Sequence, residues 1–230
     1  MFDRQRVGAI IAAAGSSQRM GIDKVFAPLD GTPLVAHCLA VFEASPLVDE
    51  IVLVVGADNV GAATRLVAEM RFGKVAQICQ GGPRRQDSVA NGLHALGPCD
   101  WVLVHDGARP LVTGDLIATG LAAAREAGAA VAAVPVKDTI KIATDSCQVA
   151  ATLPRERLWA VQTPQVFRCD WLAEGYRKVT RDVTDDALVI EEQGLPVKLY
   201  LGSYENIKVT TPEDLEIAEI ILRRRAARTH

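Results

Sequence analysis

Residues 101–135 read WVLVHDGARPLVTGDLIATGLAAAREAGAAVAAVP, and this stretch decides the fold class. The apolar run Trp101–His105 predicts a buried strand, and Thr113–Ala127 has the spacing of an amphipathic helix that ends at a capping glycine, Gly128. A second apolar run, Ala129–Pro135, predicts the next strand. A strand, a helix and a strand in this order are typical of a parallel sheet covered by helices.

The same alternation continues on both sides of this stretch. It predicts strands at Val7–Ala13, Glu50–Gly56, Val75–Cys79 and Pro196–Leu201. It predicts helices at Pro33–Ala44, Asn59–Arg71, Asp87–Leu96 and Asp185–Gln193, the last capped by Thr184, and a final helix opened by Thr211-Pro212. We therefore expect an α/β fold with a doubly wound, mostly parallel sheet, in a single domain over residues 1–230. Ligands of such sheets bind beyond the carboxyl ends of the strands, so the loops there form the candidate site.

Residues 136–158 (VKDTIKIATDSCQVAATLPRERL) break this alternation. Their Thr, Ile and Val residues have strand-like spacing, and Asp145-Ser146 provides a turn, so the segment predicts a projecting β-hairpin arm. A hairpin with little core of its own needs a partner surface. We therefore expect a homodimer in which the arm embraces the other subunit. The alternative is a long surface hairpin on a monomer.

The overall composition excludes several classes of protein. The formal net charge of the 230 residues is −3, so no overall positive field points to nucleic acid. The five cysteines are scattered and form no C-x-x-C pair, which favours reduced thiols over a disulfide framework or a metal site. No apolar run is long enough to span a membrane, and the run from Val7 to Ala14 indicates a strand rather than a signal peptide. We expect a cytoplasmic protein that binds neither membranes nor nucleic acid.

The loop after the first strand, residues 12–24, reads AAAGSSQRMGIDK. Small residues at its start allow backbone N–H groups to approach a polyphosphate closely, and two cationic side chains follow. These residues are Ala14, Gly15, Ser16, Arg19 and Lys24. On physical grounds the loop is either an anion cradle or a structural turn. It has neither the Gly-Lys-Ser/Thr of a P-loop nor the G-x-G-x-x-G of a dinucleotide-binding loop.

This loop resembles the opening motif of the nucleotide-sugar pyrophosphorylase superfamily, whose glycine-rich loop carries an Arg and ends in a Lys. The resemblance implies a Rossmann-like nucleotidyltransferase in which the loop binds a triphosphate. Arg19 and Lys24 match the basic residues of that motif. Asp23 stands where the superfamily usually has Pro. Preorganised cations at these positions would stabilise the charge that develops on the α-phosphate and on the departing pyrophosphate.

Four further segments resemble the 2-C-methyl-D-erythritol 4-phosphate cytidylyltransferase family in particular. They are Gly81–Val89, His105–Pro110, Val136–Lys141 with Arg155 and Thr163–Gln165, and Ser203–Asp214. The resemblance implies transfer of CMP from CTP to 2-C-methyl-D-erythritol 4-phosphate, with Mg²⁺ as cofactor and release of pyrophosphate. It also implies that some arm residues act across the dimer interface.

The resemblance assigns roles to individual residues. It implies catalytic roles for Arg19, Lys24, Arg155 and Lys208. It implies substrate contacts by Ala14, Gly15, Ser16, Gly82, Ser88, Asp106, Gly107, Arg109, Thr139 and Thr163, with Asp106 also the candidate Mg²⁺ ligand. Arg157 is the alternative to Arg155, and counting back from Thr163 favours Arg155. His105 is interpreted as structural, and Asp185 and Asp186 as helix-capping residues.

Two other functions remain open from the sequence. The first is a cytidylyltransferase for another polyol phosphate, such as ribitol 5-phosphate, whose family shares most of these motifs. The second is a nucleotide-binding regulatory protein with no turnover. The latter is disfavoured because a scaffold has no need of a set of cations and a carboxylate at these positions. A dehydrogenase is the least favoured, since the dinucleotide fingerprint is missing.

Overall fold

The computed structural model describes residues 5–15 and 24–228, with the main chain alone at Lys24. Eleven strands are present in this part of the chain: β1 (Val7–Ala13), β2 (Pro28–Leu29), β3 (Thr32–Pro33), β4 (Glu50–Val55), β5 (Val75–Gln80), β6 (Trp101–Asp106), β7 (Ala129–Pro135), β8 (Lys141–Ala143), β9 (Val149–Thr152), β10 (Trp159–Arg168) and β11 (Lys198–Leu201). The α-helices there are α1 (Leu34–Ala44), α2 (Val60–Glu69), α3 (Arg85–Ala95), α4 (Gly114–Ala127), α5 (Cys169–Lys178), α6 (Asp186–Glu191) and α7 (Pro212–Arg228).

Seven strands form one central sheet in the order β11-β7-β10-β6-β1-β4-β5. Six of them run in the same direction, and β10 is antiparallel to both of its neighbours. The predicted α/β class with a mostly parallel sheet is therefore confirmed. In the sheet centre, Ala12 pairs with Asp106 on one side and with Val54 on the other. This register brings the carboxyl ends of β1, β4 and β6 to the same edge.

Both faces of the sheet are buried, which explains why its central strands are continuously apolar. Ile11, Leu53 and Leu103 belong to a core shared with α1, α2 and α4. Ile10 and Val104 point the other way, into a core shared with α3, α5 and α6. Because alternate residues of a strand face opposite sides, helices cover the sheet on both faces as a doubly wound fold requires.

Local sequence signals fix the ends of the two long helices. The Thr113 hydroxyl accepts a hydrogen bond from the Leu116 backbone N–H, so it caps α4. Gly128 ends this helix with φ 89°, a left-handed conformation that favours glycine. At the start of α7, the Thr211 N–H donates to the Asp214 carboxylate while the Asp214 N–H donates to the Thr211 hydroxyl. These ends lie where the sequence predicts them.

Two parts of the fold differ from the sequence prediction. The segment predicted only as a neighbour of the arm, around Thr163-Pro164-Gln165, is strand β10 in the middle of the sheet and leads directly into α5. The interpretation of Thr184 as the N-cap of α6 is wrong by one residue. Asp185 accepts the hydrogen bond from Leu188 N–H, so Asp185 caps the helix.

The predicted β-hairpin arm is present. Strand β8 pairs antiparallel with β9 through a turn that contains Asp145 and Ser146. Every residue from 137 to 152 is exposed in the single chain, including Ile142 and Val149. Within the described chain, no helix combines the length and the apolar character needed to cross a membrane.

Candidate active site

A cavity of about 380 Å³ lies at the carboxyl edge of the sheet, where the loops after β1, β5 and β6 converge. Six residues with predicted roles line it, and these are Ala14, Gly15, Gly82, Ser88, Asp106 and Lys208. We call this space the first cavity. The fold therefore brings residues that lie nearly two hundred positions apart in the sequence to the lining of one cavity.

The glycine pair that follows β5 is required by close packing. A Cβ atom on Gly81 would lie 2.2 Å from the Ala14 Cβ, and one on Gly82 would lie 2.4 Å from the Asp87 Cβ. Neither distance is tolerated, so a larger residue at 81 would push this loop away from the loop after β1, and one at 82 would displace the start of α3. The Gly82 N–H donates to the Ser88 hydroxyl at 3.1 Å, which places both groups together at the start of α3.

Asp106 is the charged centre of the site. Its Oδ2 lies 2.9 Å from Lys208 Nζ and 3.7 Å from Arg109 Nε, and its Oδ1 accepts a hydrogen bond from Arg85 Nε at 3.1 Å. Burial alone would raise the pKa of Asp106, but the three cations outweigh burial and hold this pKa well below its ordinary value. Asp106 is therefore an anion at neutral pH. We call Asp106, Arg85, Arg109 and Lys208 the Asp106 cluster.

Thr163 and His105 form a buried support beneath this cluster. The Asp106 N–H donates to the Thr163 hydroxyl at 3.0 Å, and that hydroxyl also lies 3.0 Å from His105 Nδ1. His105 Nε2 lies 3.1 Å from the Arg109 carbonyl oxygen. The His105 side chain is fully buried, and burial lowers its pKa to about 4. A neutral ring with both nitrogens engaged matches the structural interpretation of His105.

A second cavity of about 320 Å³ lies on the far side of the Asp106 cluster. Arg109 and Thr163 line it together with Gln162 and Thr184. The two cavities share three wall residues, and these are Arg85, Asp106 and Lys208. Groups bound in the two cavities can therefore contact the same three charged side chains.

Arg109 has spare hydrogen-bonding capacity at this boundary. Its Nη1 donates to the Asn206 carbonyl oxygen at 2.8 Å, while its buried Nε has no hydrogen-bond partner among the described residues. The Asn206 side-chain amide in turn donates to the Thr163 carbonyl oxygen at 2.8 Å. The loop before α7 thus fixes both Arg109 and strand β10. A buried guanidinium N–H without a partner is suited to an anionic ligand.

The arm residues lie apart from both cavities within this chain. Thr139 and Arg155 are exposed and line neither cavity, and Arg155 Nη1 donates to the Lys137 carbonyl oxygen of the same arm at 2.9 Å. Arg157 is exposed in the same short 3₁₀ helix, Arg155–Arg157. The chain alone therefore does not bring the predicted arm residues to the Asp106 cluster.

Some predicted residues of the first loop cannot be placed. Ser16 and Arg19 lie outside the described residues, and Lys24 is described only as the first residue of the 3₁₀ helix Lys24–Phe26. Gly107, for which a substrate contact is predicted, packs against β1. Its N–H donates to the Ala12 carbonyl oxygen at 2.8 Å, and a Cβ there would lie 2.9 Å from the Ala13 Cβ. Ala108, next in the chain, lines the first cavity.

Two residues that sequence reasoning passed over belong to the site. Arg85 lines both cavities, although only its neighbours in the Gly81–Val89 motif have predicted roles. Asp186 is no capping residue: its side chain is fully buried and its Oδ2 lies 2.8 Å from Arg85 Nη2. The available signal was the second of two consecutive aspartates, because one cap needs only one of them.

The described residues contain no group of three or more His, Cys, Asp or Glu side chains able to hold a metal ion. Asp106 is the one carboxylate among the described residues that lines both cavities. Mg²⁺ in nucleotide enzymes is commonly held by one or two carboxylates and by substrate phosphates. The donor set therefore fits an ion bound mainly through a substrate and not a preformed protein cage.

Comparison with known proteins decides the family. The IspD family model, described as 2-C-methyl-D-erythritol 4-phosphate cytidylyltransferase, matches residues 7–224. The chain belongs to the IspD family. A protein of Dehalococcoides mccartyi named 2-C-methyl-D-erythritol 4-phosphate cytidylyltransferase is 55% identical over 225 residues, which cover 97% of this chain and 99% of the relative. A relative of the same name from Alkaliphilus oremlandii is 48% identical over 98% of each chain.

Solved structures of IspD proteins share the fold. The 4-diphosphocytidyl-2C-methyl-D-erythritol synthase of Anaerococcus prevotii matches with a TM-score of 0.85 at 30% identity, over 95% of this chain and 99% of that chain. The 2-C-methyl-D-erythritol 4-phosphate cytidylyltransferase of Thermus thermophilus matches with a TM-score of 0.77 at 34% identity, over 94% and 98% of the two chains. The predicted nucleotidyltransferase-like α/β fold and the family resemblance of the motifs are both confirmed.

Proposed function

We propose that this IspD protein transfers CMP from CTP to 2-C-methyl-D-erythritol 4-phosphate and releases pyrophosphate, in the non-mevalonate route to isoprenoid precursors. The family match over nearly the whole chain supports the reaction. The mechanism is supported above all by one observation about the Asp106 cluster. Three of its residues line both cavities, and these are Arg85, Asp106 and Lys208. Two substrates that must react with each other can meet at such a boundary.

CTP would occupy the first cavity. Its base would lie against Gly82 and Ser88, which are held together by a hydrogen bond of 3.1 Å. Its triphosphate would follow the loop from Ala14 and Gly15, which line the cavity, toward Arg19 and Lys24. Backbone N–H groups of a small-residue loop and two cations would neutralise the phosphates and the charge that develops on the leaving pyrophosphate.

The acceptor would place its phosphate in the second cavity. Arg109 Nε lacks a hydrogen-bond partner among the described residues, and Lys208 lies at the border of the two cavities, so both can contact phosphate oxygens. One acceptor phosphate oxygen attacks the α-phosphorus of CTP, a new P–O bond forms, and the bond to the bridging oxygen of the β-phosphate breaks. The electron pair leaves with pyrophosphate. Positioning and electrostatics supply the catalysis.

We include Mg²⁺ in the proposal as the cofactor. When bound, the ion would neutralise part of the charge of the substrate phosphates. Asp106, ionised and buried beside the first cavity, is the residue that would hold it directly or through water. Lys208 and Arg109 both pair with Asp106 Oδ2, so Asp106 would hold these two cations in place for the substrate phosphates.

We also propose that the protein is a cytoplasmic homodimer joined through the arm. Exposed apolar side chains support this: Ile142 and Val149 lie on the arm, and Leu199 and Leu201 lie on the edge strand β11. In such a dimer Thr139 and Arg155 of one arm would reach the acceptor in the partner's second cavity. All five cysteines are free thiols, in keeping with a reducing compartment. The net charge of −3 gives no reason to expect nucleic acid as a partner.

The decisive test is pyrophosphate release from CTP and Mg²⁺ with a panel of acceptors. We expect turnover with 2-C-methyl-D-erythritol 4-phosphate and a much lower kcat/KM with ribitol 5-phosphate. A preference for ribitol 5-phosphate would reassign the acceptor. CTP binding without turnover for any acceptor would favour the nucleotide-binding regulatory protein and contradict the proposed function.

A further inference from the structure

Arg85 occupies a position that no assigned role explains. Its side chain lines both cavities, and its Nε donates to Asp106 Oδ1 at 3.1 Å. Its Nη2 lies 2.8 Å from Asp186 Oδ2, an ion pair that forms no hydrogen bond within the described chain. The guanidinium thus bridges two carboxylates, one at the site and one behind it. A planar fork with several N–H groups can do this, whereas a single ammonium group cannot hold both partners in this geometry.

Asp186 is an anchor without access to water. Its side chain is completely buried, and its Oδ1 accepts a hydrogen bond from the Tyr176 hydroxyl of α5. Burial raises the pKa of Tyr176, and the neighbouring Asp186 raises it further, so the phenol stays a donor. A buried carboxylate held between a cation and a phenol has little freedom to rotate. It therefore fixes the far end of the Arg85 side chain.

The segment that carries Asp186 is itself held from two sides. The Gln86 side-chain oxygen accepts a hydrogen bond from Val183 N–H at 2.9 Å. The Gln165 side chain donates to Asp185 at 2.9 Å and accepts from Ala187 N–H at 3.1 Å. Strand β10 and helix α3, which both border the site, thus clamp the start of α6. The position of Asp186 is set by the same elements that position the cavities.

We propose that Arg85 is a positioning residue for Asp106, and that Asp186 and Tyr176 hold Arg85 in place for this task. Arg85 fixes Asp106 Oδ1 on one side, so that Oδ2 remains directed at Lys208 and Arg109. Without that restraint Asp106 rotates, and the two cations that should meet the acceptor phosphate lose their alignment. This inference rests on the proposed function, since Asp106 matters only where phosphates react.

Arg85 could act through its charge or through its position, and these two roles predict opposite effects of the same substitutions. Asp186→Asn keeps the Arg85 cation and removes one of the two carboxylates that Arg85 contacts. If Arg85 acts only by its charge, the site becomes more positive, the acceptor binds more tightly, and Arg85→Lys behaves as wild type. If Arg85 acts by position, both variants lose turnover, because both release the fork from its anchor.

The experiment measures kcat and the KM of each substrate for Asp186→Asn, Arg85→Lys and Tyr176→Phe. We expect kcat to fall on the order of 10²-fold for the first two variants, the size of effect that small misplacements of reacting groups produce. Tyr176→Phe keeps both charges but removes the hydrogen bond to Asp186, so it should lower kcat by about fivefold. The KM for CTP should remain within about threefold of wild type in Asp186→Asn and Tyr176→Phe, because neither residue lines the first cavity.

Matched controls separate this role from a general loss of structure. Asp170→Asn removes an aspartate from an exposed ion pair with Arg168 at the start of α5, and we expect wild-type kinetics. Breaking a buried pair destabilises the fold, so each variant is assayed well below its unfolding temperature. The double variant R85K/D186N should lose no more turnover than the worse single variant, because the two residues act as one unit.

Several outcomes overturn the inference. Wild-type or raised turnover in Asp186→Asn, or losses in the double variant that multiply, would show that Arg85 and Asp186 do not act together on Asp106. Should Asp186→Asn fail to fold, Tyr176→Phe decides, and wild-type kcat in that variant contradicts the proposal. Absence of pyrophosphate release by the wild type with every polyol phosphate would overturn the proposed function and this inference together. An active wild type beside an active Asp186→Asn overturns this inference alone.

Discussion

Lys208 and Arg155 are both predicted to contact the acceptor, yet their surroundings in the structure differ. Lys208 Nζ lies 2.9 Å from the buried Asp106 and forms part of the wall between two cavities. Arg155 is exposed and donates to the Lys137 carbonyl oxygen of its own arm. One cation is held in place by its own chain before any substrate arrives. The other is exposed, and its hydrogen bond goes to the main chain of its own arm rather than to the Asp106 cluster.

This difference separates two ways of supplying charge to a reaction. A preorganised cation needs little reorganisation when the transition state forms, so its removal should lower turnover strongly. An exposed side chain must first be ordered, which offsets part of what it contributes. The Asp106 cluster should therefore dominate turnover in each chain. The arm should modulate acceptor binding, and only where a second subunit brings it to the site.

The sharpest test of this contrast is Asp106→Asn. The substitution leaves three cations around a neutral amide and breaks a buried ion pair, so we expect about 3–5 kcal/mol less unfolding free energy. Turnover should fall on the order of 10³-fold, since a central preorganised group is lost. Denaturant unfolding and pyrophosphate release measure the two effects. The same change at the exposed Asp138 of the arm should leave both unchanged. Equal stability of Asp106→Asn and wild type would contradict the coupling of the cluster.

The first loop should rank next. Lys24→Ala or Arg19→Ala should each cost roughly 2–4 kcal/mol in transition-state stabilisation, the value typical of one preorganised donor. Each cost is obtained from kcat/KM relative to wild type, with circular dichroism to check the fold. We expect an unchanged spectrum, because the sequence predicts both residues in the segment that follows the first strand and not in the core. Wild-type rates for both variants would remove the loop from the mechanism.

Most of the sheet could be predicted from the sequence because its strands are buried on both faces. The stretches 51–55 and 101–104 are continuously apolar, as expected for parallel strands buried between two layers of helices. The helices could be predicted for a similar reason, since caps such as Thr113 act within a few residues of the chain. Local signals report local structure well.

Strand β10 could not be predicted, because its place depends on distant partners. Its sequence WAVQTPQVFR contains Pro164, which argues against a central strand, and the structure accommodates this proline at a shift in register between Val161 and Gln165. Thr163 therefore reaches Asp106 through strand order, which no local pattern encodes. The same holds for Asp186, whose partner Arg85 lies about a hundred residues earlier. Residue type suggested the chemistry of the site, and topology decided which groups meet.

The buried support of the cluster should be visible in the pH dependence of stability. Burial lowers the pKa of His105 to about 4 from an ordinary value of 6.5. The unfolded chain therefore binds a proton on His105 between these values while the folded chain does not, and stability falls as the pH drops from 6.5 to 4. The full difference corresponds to about 3 kcal/mol. Denaturant unfolding of wild type and His105→Gln across this range measures it. A slope that is unchanged in the variant would place the titration elsewhere.

The arm should produce the smallest effect and the one most dependent on assembly. Arg155→Ala should raise the KM for the acceptor by about tenfold, near the lower end for a hydrogen bond to a charged group, with kcat nearly constant. Arg157→Ala is the matched control, because Arg157 is exposed in the same short helix and should behave as wild type. If the effects are exchanged, Arg157 is the acceptor-binding residue. If neither variant changes the KM, the arm has no part in substrate binding.

Mixing two defective variants asks whether the arm acts on its own chain or on its partner. Arg155→Ala retains Lys208, and Lys208→Ala retains Arg155, so a mixed dimer contains one intact site only if each arm serves the other subunit. Random reassociation of equal amounts would make about a quarter of all sites intact. We expect the mixture to recover that share of wild-type activity at low acceptor concentration, after subunit exchange in mild denaturant. If each arm served its own chain, no mixed site would be whole and activity would stay at the level of the separate variants. Recovered activity would therefore show that an intact site combines the Asp106 cluster of one subunit with the arm of the other, each subunit supplying the part that its partner lacks.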